Sequence, residues 1–147
     1  MGLQAFRCGA NVVAYIKDNK KYGMTCAWAM MSNYSQVMML LGGQSETGNN
    51  ISLGDIVGIS ALAEGQASIA RTIGMNHSSK IDKFANIKYH LYNGAILIDD
   101  VKVQMLAKAV KIENNDGDHL ITFDILKYET KDNIDYLDGY DPKCYHE

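Results

Sequence analysis

Three stretches of the chain combine residue types that could do chemistry. The first, Gly42-Gly43-Gln44-Ser45-Glu46-Thr47-Gly48-Asn49-Asn50, is rich in main-chain amides and hydroxyls. A loop of this kind entering a helix can hold a phosphate, although an ordinary solvated turn is the plainer reading of glycine-rich punctuation. The second, residues 24–34 (MTCAWAMMSNY), sets the small residues Thr25, Cys26, Ala27 and Ala29 around Trp28. Small side chains let a flat ligand approach the backbone, while core packing is the default for an apolar strand and the favoured reading of Trp28 by itself. The third, Gly117-Asp118-His119, stands at the mouth of a strand. A histidine there can donate to a ligand oxygen or carry a proton, and more often it is simply a polar strand end.

Other signatures are missing. GxSxG, HExxH, the Walker A loop and GxGxxG do not occur, so the sequence lends no support to a hydrolase, a zinc protease or a Rossmann domain. His77, His90, His119 and His146 lack metal-ligand spacing, and no metal is expected. Cys8, Cys26 and Cys144 are odd in number, far apart and in no CxxC pair, which argues against a disulfide framework and for a reducing cytoplasm. A net charge of -3 gives no basic face for nucleic acid or an anionic membrane. The apolar runs, such as 37–41, are far too short to span a bilayer, and the first ten residues lack the apolar stretch of a signal peptide.

The elements that must position these residues read as mostly β. A chain of 147 residues that is 47% hydrophobic can bury one core, so 1–147 is expected to form a single domain. Strands are predicted over 11–17, 24–34, 37–41 and 55–63, with a turn at Asp18-Asn19-Lys20-Lys21. Ser45 or Thr47 is a plausible helix N-cap. Residues 66–73 place Ile69, Ala70 and Ile73 on one helical face. In 101–109, Val101, Val103, Met105, Ala107 and Ala109 alternate with Lys102, Gln104, Leu106 and Lys108, the period of a strand. Asn114-Asn115-Asp116-Gly117 has the chemistry of a tight hairpin, and beyond it Ile121, Phe123 and Ile125 alternate again. Long paired strands after several shorter ones point to an antiparallel barrel of six to seven strands with two or three short helices. The acidic, tyrosine-rich stretch 132–147 reads as a closing flap, a dimer contact or a frayed tail.

The order of these pieces resembles the flavin reductase-like family with the FMN-binding split barrel, in particular its short archaeal and clostridial ferric reductase and flavoredoxin-type members. Four stretches carry the likeness. Gln4-Ala5-Phe6 before the first strand resembles the family's opening, and Gly23-Met24-Thr25-Cys26-Ala27-Trp28 resembles its second strand. His77-Ser78-Ser79-Lys80-Ile81-Asp82-Lys83-Phe84 resembles its K-S-S-x-x-D/E-K-F segment, and Gly117-Asp118-His119 its G-D/T-H element. The resemblance implies FMN as cofactor, with Thr25, Cys26, Ala27 and Trp28 along the ring and ribityl chain. Gln44, Ser45, Thr47, Ser78, Ser79 and Lys80 would receive the phosphate, and His119 would serve as a catalytic residue near the flavin or the donor's nicotinamide. It also implies a homodimer, and NAD(P)H or a redox protein as electron donor. Three departures stand out: Ser35-Gln36 replaces the usual prolines, Gln44-Ser45-Glu46 lacks the usual lysine or arginine, and Asp124 replaces a glycine.

Three functions follow, in order of support. The first is an FMN-dependent oxidoreductase passing electrons from NAD(P)H or a protein donor to flavin, ferric iron or another acceptor. The second is a non-catalytic FMN electron-transfer protein, toward which the missing basic residue and Asp124 lean. The third is a small OB-like binding barrel without flavin, against which the acidic charge and the lack of a basic stripe count.

Overall fold

The computed structural model describes residues 3–75 and 82–145. In chain order the elements are β1 (Asn11–Lys17), β2 (Lys20–Cys26), β3 (Ala29–Asn33), β4 (Gln36–Leu41), α1 (Glu46–Asn49), β5 (Ile56–Ala61), α2 (Ala67–Gly74), β6 (Tyr89–Tyr92), β7 (Ala95–Ile98), β8 (Val103–Asn115) and β9 (Asp118–Thr130), then a single 3-10 turn at Pro142–Cys144. All the strands join one antiparallel sheet ordered β3-β4-β9-β8-β5-β1-β7-β6, with β2 on the remaining edge of β1. The path ends at β3 and β6 and does not close on itself, which makes it the expected split barrel. It has nine strands rather than six to seven, for two reasons. The predicted strand 24–34 divides at Ala27-Trp28 into β2 and β3, and the β6–β7 pair falls where the sequence reading assigned nothing.

β1 is the strand around which the rest is arranged. Val12 and Ala14 face one way, Val13 and Tyr15 the other, and all four are buried. It pairs with β2 over its full length, with β5 through Asn11–Ala14 and with β7 at Tyr15. On one side Val13 and Tyr15 join Val37, Met39, Leu41, Ile59, Ile121 and Phe123 inside the curled sheet. On the other, Val12 and Ala14 meet α2 through Ala70 and Ile73, together with Phe84, Ile96 and Ile98. The sheet therefore sits between two apolar layers, and both faces of β1 contribute to the hydrophobic driving force.

Three hairpins are closed by two-residue turns with both residues at positive φ: Asp18-Asn19 (52° and 63°), Asn93-Gly94 (50° and 85°) and Asp116-Gly117 (54° and 92°). These mirror-image turns match the right-handed twist of the strands, and asparagine, aspartate and glycine tolerate them best. Register shifts between Leu106 and Ala107 and between Ala109 and Lys111 bend the long β8–β9 ribbon, as bulges do.

The C-terminal stretch is packed rather than frayed. Tyr136 bridges to Ala63 and Asp138 to Gly9, and Leu137 and Cys144 are each 3% exposed. Among the described residues no helix is long and apolar enough to cross a membrane.

β5 and β7 approach unusually closely at Gly58, where an added Cβ would lie 1.9 Å from the Ile96 carbonyl oxygen. Since the obstructing atom is backbone, it cannot swing aside. Gly58→Ala is expected to destabilise the fold by roughly 3 kcal/mol, read as a fall in the denaturant midpoint at unchanged m-value.

Candidate functional site

Loop 42–50 is held from several directions. Ser45 is the N-cap of α1, its Oγ accepting from the Gly48 amide at 3.2 Å. The Tyr15 hydroxyl, buried and raised in pKa chiefly by desolvation, donates to the Thr47 carbonyl at 2.6 Å. The Gly43 amide donates to Asp118 Oδ1 at 2.8 Å, and Asn49 Nδ2 donates to the Gly43 carbonyl at 3.0 Å. An added Cβ at Gly43 would lie 2.2 Å from the Gly117 carbonyl oxygen, so the loop and the tip of the β8–β9 hairpin are in backbone contact.

This loop forms one wall of a cleft of about 190 Å³. Gln44, Ser45, Glu46 and Thr47 line it from the α1 side, Met24 and Thr25 from β2, and Ile73 and Gly74 from the end of α2. Thr25 Oγ1 donates to the Ala70 carbonyl at 2.8 Å, tying β2 to α2. Among the described residues β2 has a strand neighbour only in β1, and its other edge faces the cleft side.

The remaining wall is Lys83, a residue the sequence reading did not assign to the site. Its side chain is 7% exposed, and Nζ donates to the Gly23 carbonyl at 2.6 Å and the Ile73 carbonyl at 2.8 Å. Burial pushes its pKa down to about 8, against the pull of the Glu46 carboxylate. Its signal in the sequence was a lysine set against Phe84 within the Asp82-Lys83-Phe84 segment. That phenylalanine is 1% exposed and lies where an added Cβ at Gly23 would come within 2.5 Å of its ring.

The other sequence-predicted residues are distributed unevenly. Thr25, Gln44, Ser45 and Thr47 meet in the cleft. Cys26, the last residue of β2, is buried with its single S–H 3.4 Å from the Trp28 and Leu40 carbonyls, and burial pushes its pKa up to about 11. Ala27 and Trp28 form the break itself, closed by an Ala29 amide to Ala27 carbonyl bond at 3.1 Å. Trp28 is 64% exposed, which corrects its reading as a core residue: the chain changes direction there and turns the indole outward. His119 does not line the cleft. Its Nε2 is 2.6 Å from Asn49 Oδ1, on the side of α1 where an added Cβ at Gly48 would meet its ring. Ser78, Ser79 and Lys80 lie outside the described residues.

The chain matches the flavin reductase like domain over residues 4–139. It belongs to the flavin reductase-like family. Solved structures with the same fold include the NADH:FAD oxidoreductase SgcE6 of Streptomyces globisporus, with a TM-score of 0.82 at 18% identity over 89% of this chain and 80% of that one. Flavoredoxin from Methanosarcina acetivorans gives 0.78 at 11% identity over 96% and 90%. An FMN-binding protein from Thermus thermophilus with bound p-hydroxybenzaldehyde gives 0.79 at 10% identity over 88% and 75%. No curated protein sequence matches the chain. Membership in the flavin reductase-like family makes flavin-linked oxidoreduction the class of chemistry to which the chain belongs, and sets aside a flavin-free OB-like barrel.

The donors around the cleft suit the anionic tail of a flavin nucleotide. Among the described residues the Ser45 hydroxyl donates to the Met24 thioether alone, at 3.2 Å, a weak acceptor that a phosphate oxygen would replace. Among the described residues the main-chain amides of Gln44 and Thr47 have no protein partner. An added Cβ at Gly42 would meet nothing within 4 Å, so this part of the lining is open. The cleft is smaller than the ~300–1,000 Å³ of typical ligand pockets, a size that suits a phosphate and part of a polyol, with a ring lying outside it along the β2 edge.

Proposed function

We propose that the protein is an FMN-dependent oxidoreductase that takes electrons from NAD(P)H or a protein carrier and passes them to flavin, ferric iron or another acceptor. The observation that carries the reading is the Lys83 ammonium at a cleft also lined by Ser45 and Thr47, in a chain of the flavin reductase-like family. It supplies the positive charge missing from loop 42–50. When bound, FMN supplies the redox chemistry, and the protein supplies binding, orientation and tuning. Lys83 and the Ser45 hydroxyl hold the phosphate, with the Gln44 and Thr47 amides completing the donor set. Thr25 and Cys26 at the end of β2, with Ala27 beyond it, would lie along the pyrimidine side of a bound flavin, where oriented main-chain donors stabilise negative charge. Trp28, exposed at the end of that edge, covers one flank.

A second reading, a passive FMN electron carrier, is favoured by His119. With its ring engaged by Asn49 and outside the cleft lining, it stands apart from the cleft beside which the resemblance expects a catalytic histidine.

The site's second copy is proposed to come from a homodimer. A groove of about 420 Å³ outside the cleft is lined by Met30, Met31, Tyr34, Met39, Met105 and Tyr128 among others. Met30, Met31, Tyr34 and Tyr128 are all more than half exposed, an apolar concentration that marks an interface. Among the described residues β3 pairs only with β4, so an unpaired strand edge borders the same groove.

Three measurements test these readings. First, the purified protein gains a protein-bound flavin spectrum on addition of FMN. Lys83→Gln is expected to weaken FMN binding at least about tenfold, the scale of a charged hydrogen bond, and to leave riboflavin binding unchanged. Because the Lys83 pKa in the free protein is about 8, FMN affinity falls as pH rises through that value, while riboflavin affinity does not. Equal binding of the two ligands at all pH values would remove Lys83 from the phosphate site. Second, the FMN-loaded protein oxidises NADH or NADPH; reduction by ferredoxin or flavodoxin alone would establish the carrier reading instead. Third, light scattering gives a dimer mass that Met31→Glu reduces to the monomer; a monomeric parent protein overturns the assembly.

A further inference from the structure

Cys8 and Cys144 lie at opposite ends of the chain and come to the same peptide unit. The Gly139 amide donates to the Cys8 carbonyl at 2.9 Å, continuing the antiparallel bridge between Gly9 and Asp138. On this pairing Cys8 Sγ lies against Gly139, at 2.8 Å from where a Cβ would stand. Cys144 returns through the Pro142–Cys144 turn, and its thiol donates to the Asp138 carbonyl at 3.7 Å. The two sulfurs thus flank the Asp138–Gly139 peptide, and each is among the groups whose charge acts on this cluster: Cys8 contributes to the raised pKa of Cys144, after burial and the two aspartates Asp138 and Asp141. Glycine at 139 matters here, because any side chain would occupy the space beside the Cys8 sulfur.

The groups facing the pair are few. The Tyr140 hydroxyl is hydrogen-bonded with Cys8, and the Tyr145 hydroxyl donates to the Gly139 carbonyl at 2.8 Å. The third cysteine is differently placed. Cys26 is 4% exposed and belongs to the core layer inside the curled sheet, and its single S–H lies 3.4 Å from the Trp28 and Leu40 carbonyls. The Cys8 charge acts on it as well, so what distinguishes Cys144 is its contact with the peptide that Cys8 also touches. Cys144 belongs to the opposite layer, and Cys8 is partly exposed. The partly exposed Cys8 thiol and the buried Cys144 thiol therefore both lie against the Asp138–Gly139 peptide, where the N-terminal segment crosses the C-terminal one.

We propose that Cys8 and Cys144 form a peroxide-responsive thiol pair that closes into an intramolecular disulfide. The Cys8 thiolate attacks the peroxide O–O bond, giving a Cys8 sulfenic acid and releasing hydroxide, which leaves as water after taking up a proton. The Cys144 sulfur then attacks the sulfenic sulfur, the S–S bond forms, and a second water leaves with the Cys144 proton. Two thiols are oxidised by two electrons and one hydroperoxide is reduced. The link fastens the N-terminal segment to the C-terminal turn, and so closes nearly the whole chain into a loop. The turn is also fastened to α2, through Arg71 Nη1 donating to the Lys143 carbonyl at 3.0 Å and through Cys144 packing in the same layer as Ala70 and Ile73. A tether at Cys144 therefore braces the element whose end lines the cleft.

The full chain, reduced, desalted and exposed to about one equivalent of hydrogen peroxide, is followed by intact mass and peptide mapping without reductant. The expected product has lost two hydrogens, carries the Cys8 and Cys144 peptides joined, returns to the starting mass with dithiothreitol, and melts higher by on the order of 10 °C. Cys144→Ser is expected to stop at an oxidised Cys8 that a sulfenic-acid reagent traps. A Cys8–Cys26 link, a dimer joined through Cys8, or an oxidised Cys8 that never links in the parent protein would each overturn the proposal.

Discussion

An ammonium group buried in a protein must find oxygen to replace its water, and that requirement at Lys83 organises the region around the cleft. The two carbonyls that meet it come from elements far apart in the chain, Gly23 of β2 and Ile73 near the end of α2. The last carbonyls of a helix lack partners within it and carry partial negative charge, so a cation is well placed there. One side chain thereby fixes the gap between strand and helix. The same residue keeps a positive charge in a setting where desolvation strengthens its attraction for an anion.

The opposite wall depends on β1. Because both faces of this strand are buried, Tyr15 reaches through the inner layer and its hydroxyl finds the Thr47 carbonyl, while Ala14 on the other face supports the layer beneath α2. The loop carrying Ser45 is thus anchored to the core below it and, through Gly43 and Asp118, to the hairpin beside it. The walls meet across the outer edge of β2, which among the described residues has no strand beside it.

Much of this fold is written locally. Asp116-Gly117 and the period-two patterns on either side identify β8 and β9 without tertiary information, and Ser45 before Glu46 marks the start of α1. Asn93-Gly94 carries the same kind of signal for β6–β7, flanked by two short apolar runs. The division of 24–34 is not local: its middle, residues 26–31, is apolar without interruption, and at the break Cys26 and Trp28 bond Leu40 of another strand. Lys83 was hidden for the same reason. A lone lysine reads as a solvated side chain until its acceptors, one of them sixty positions away, are brought beside it. His119 illustrates the converse, since a motif fixed its position in sequence but the short helix α1 turned its ring toward Asn49.

The mirror-image turns have a consequence for how the chain acquires its shape. β1–β2, β6–β7 and β8–β9 are each joined by two residues already suited to reversing direction, so these ribbons need only short loops to close and can assemble early. The pairings that make the sheet one object, β1 with β5, β4 with β9 and β5 with β8, join segments separated by much longer stretches. Docking these ribbons closes longer loops than zipping each one, and so costs more loop-closure entropy. The tight crossing of Gly58 on Ile96 joins β5 to the β6–β7 ribbon and is made only when the two are in register.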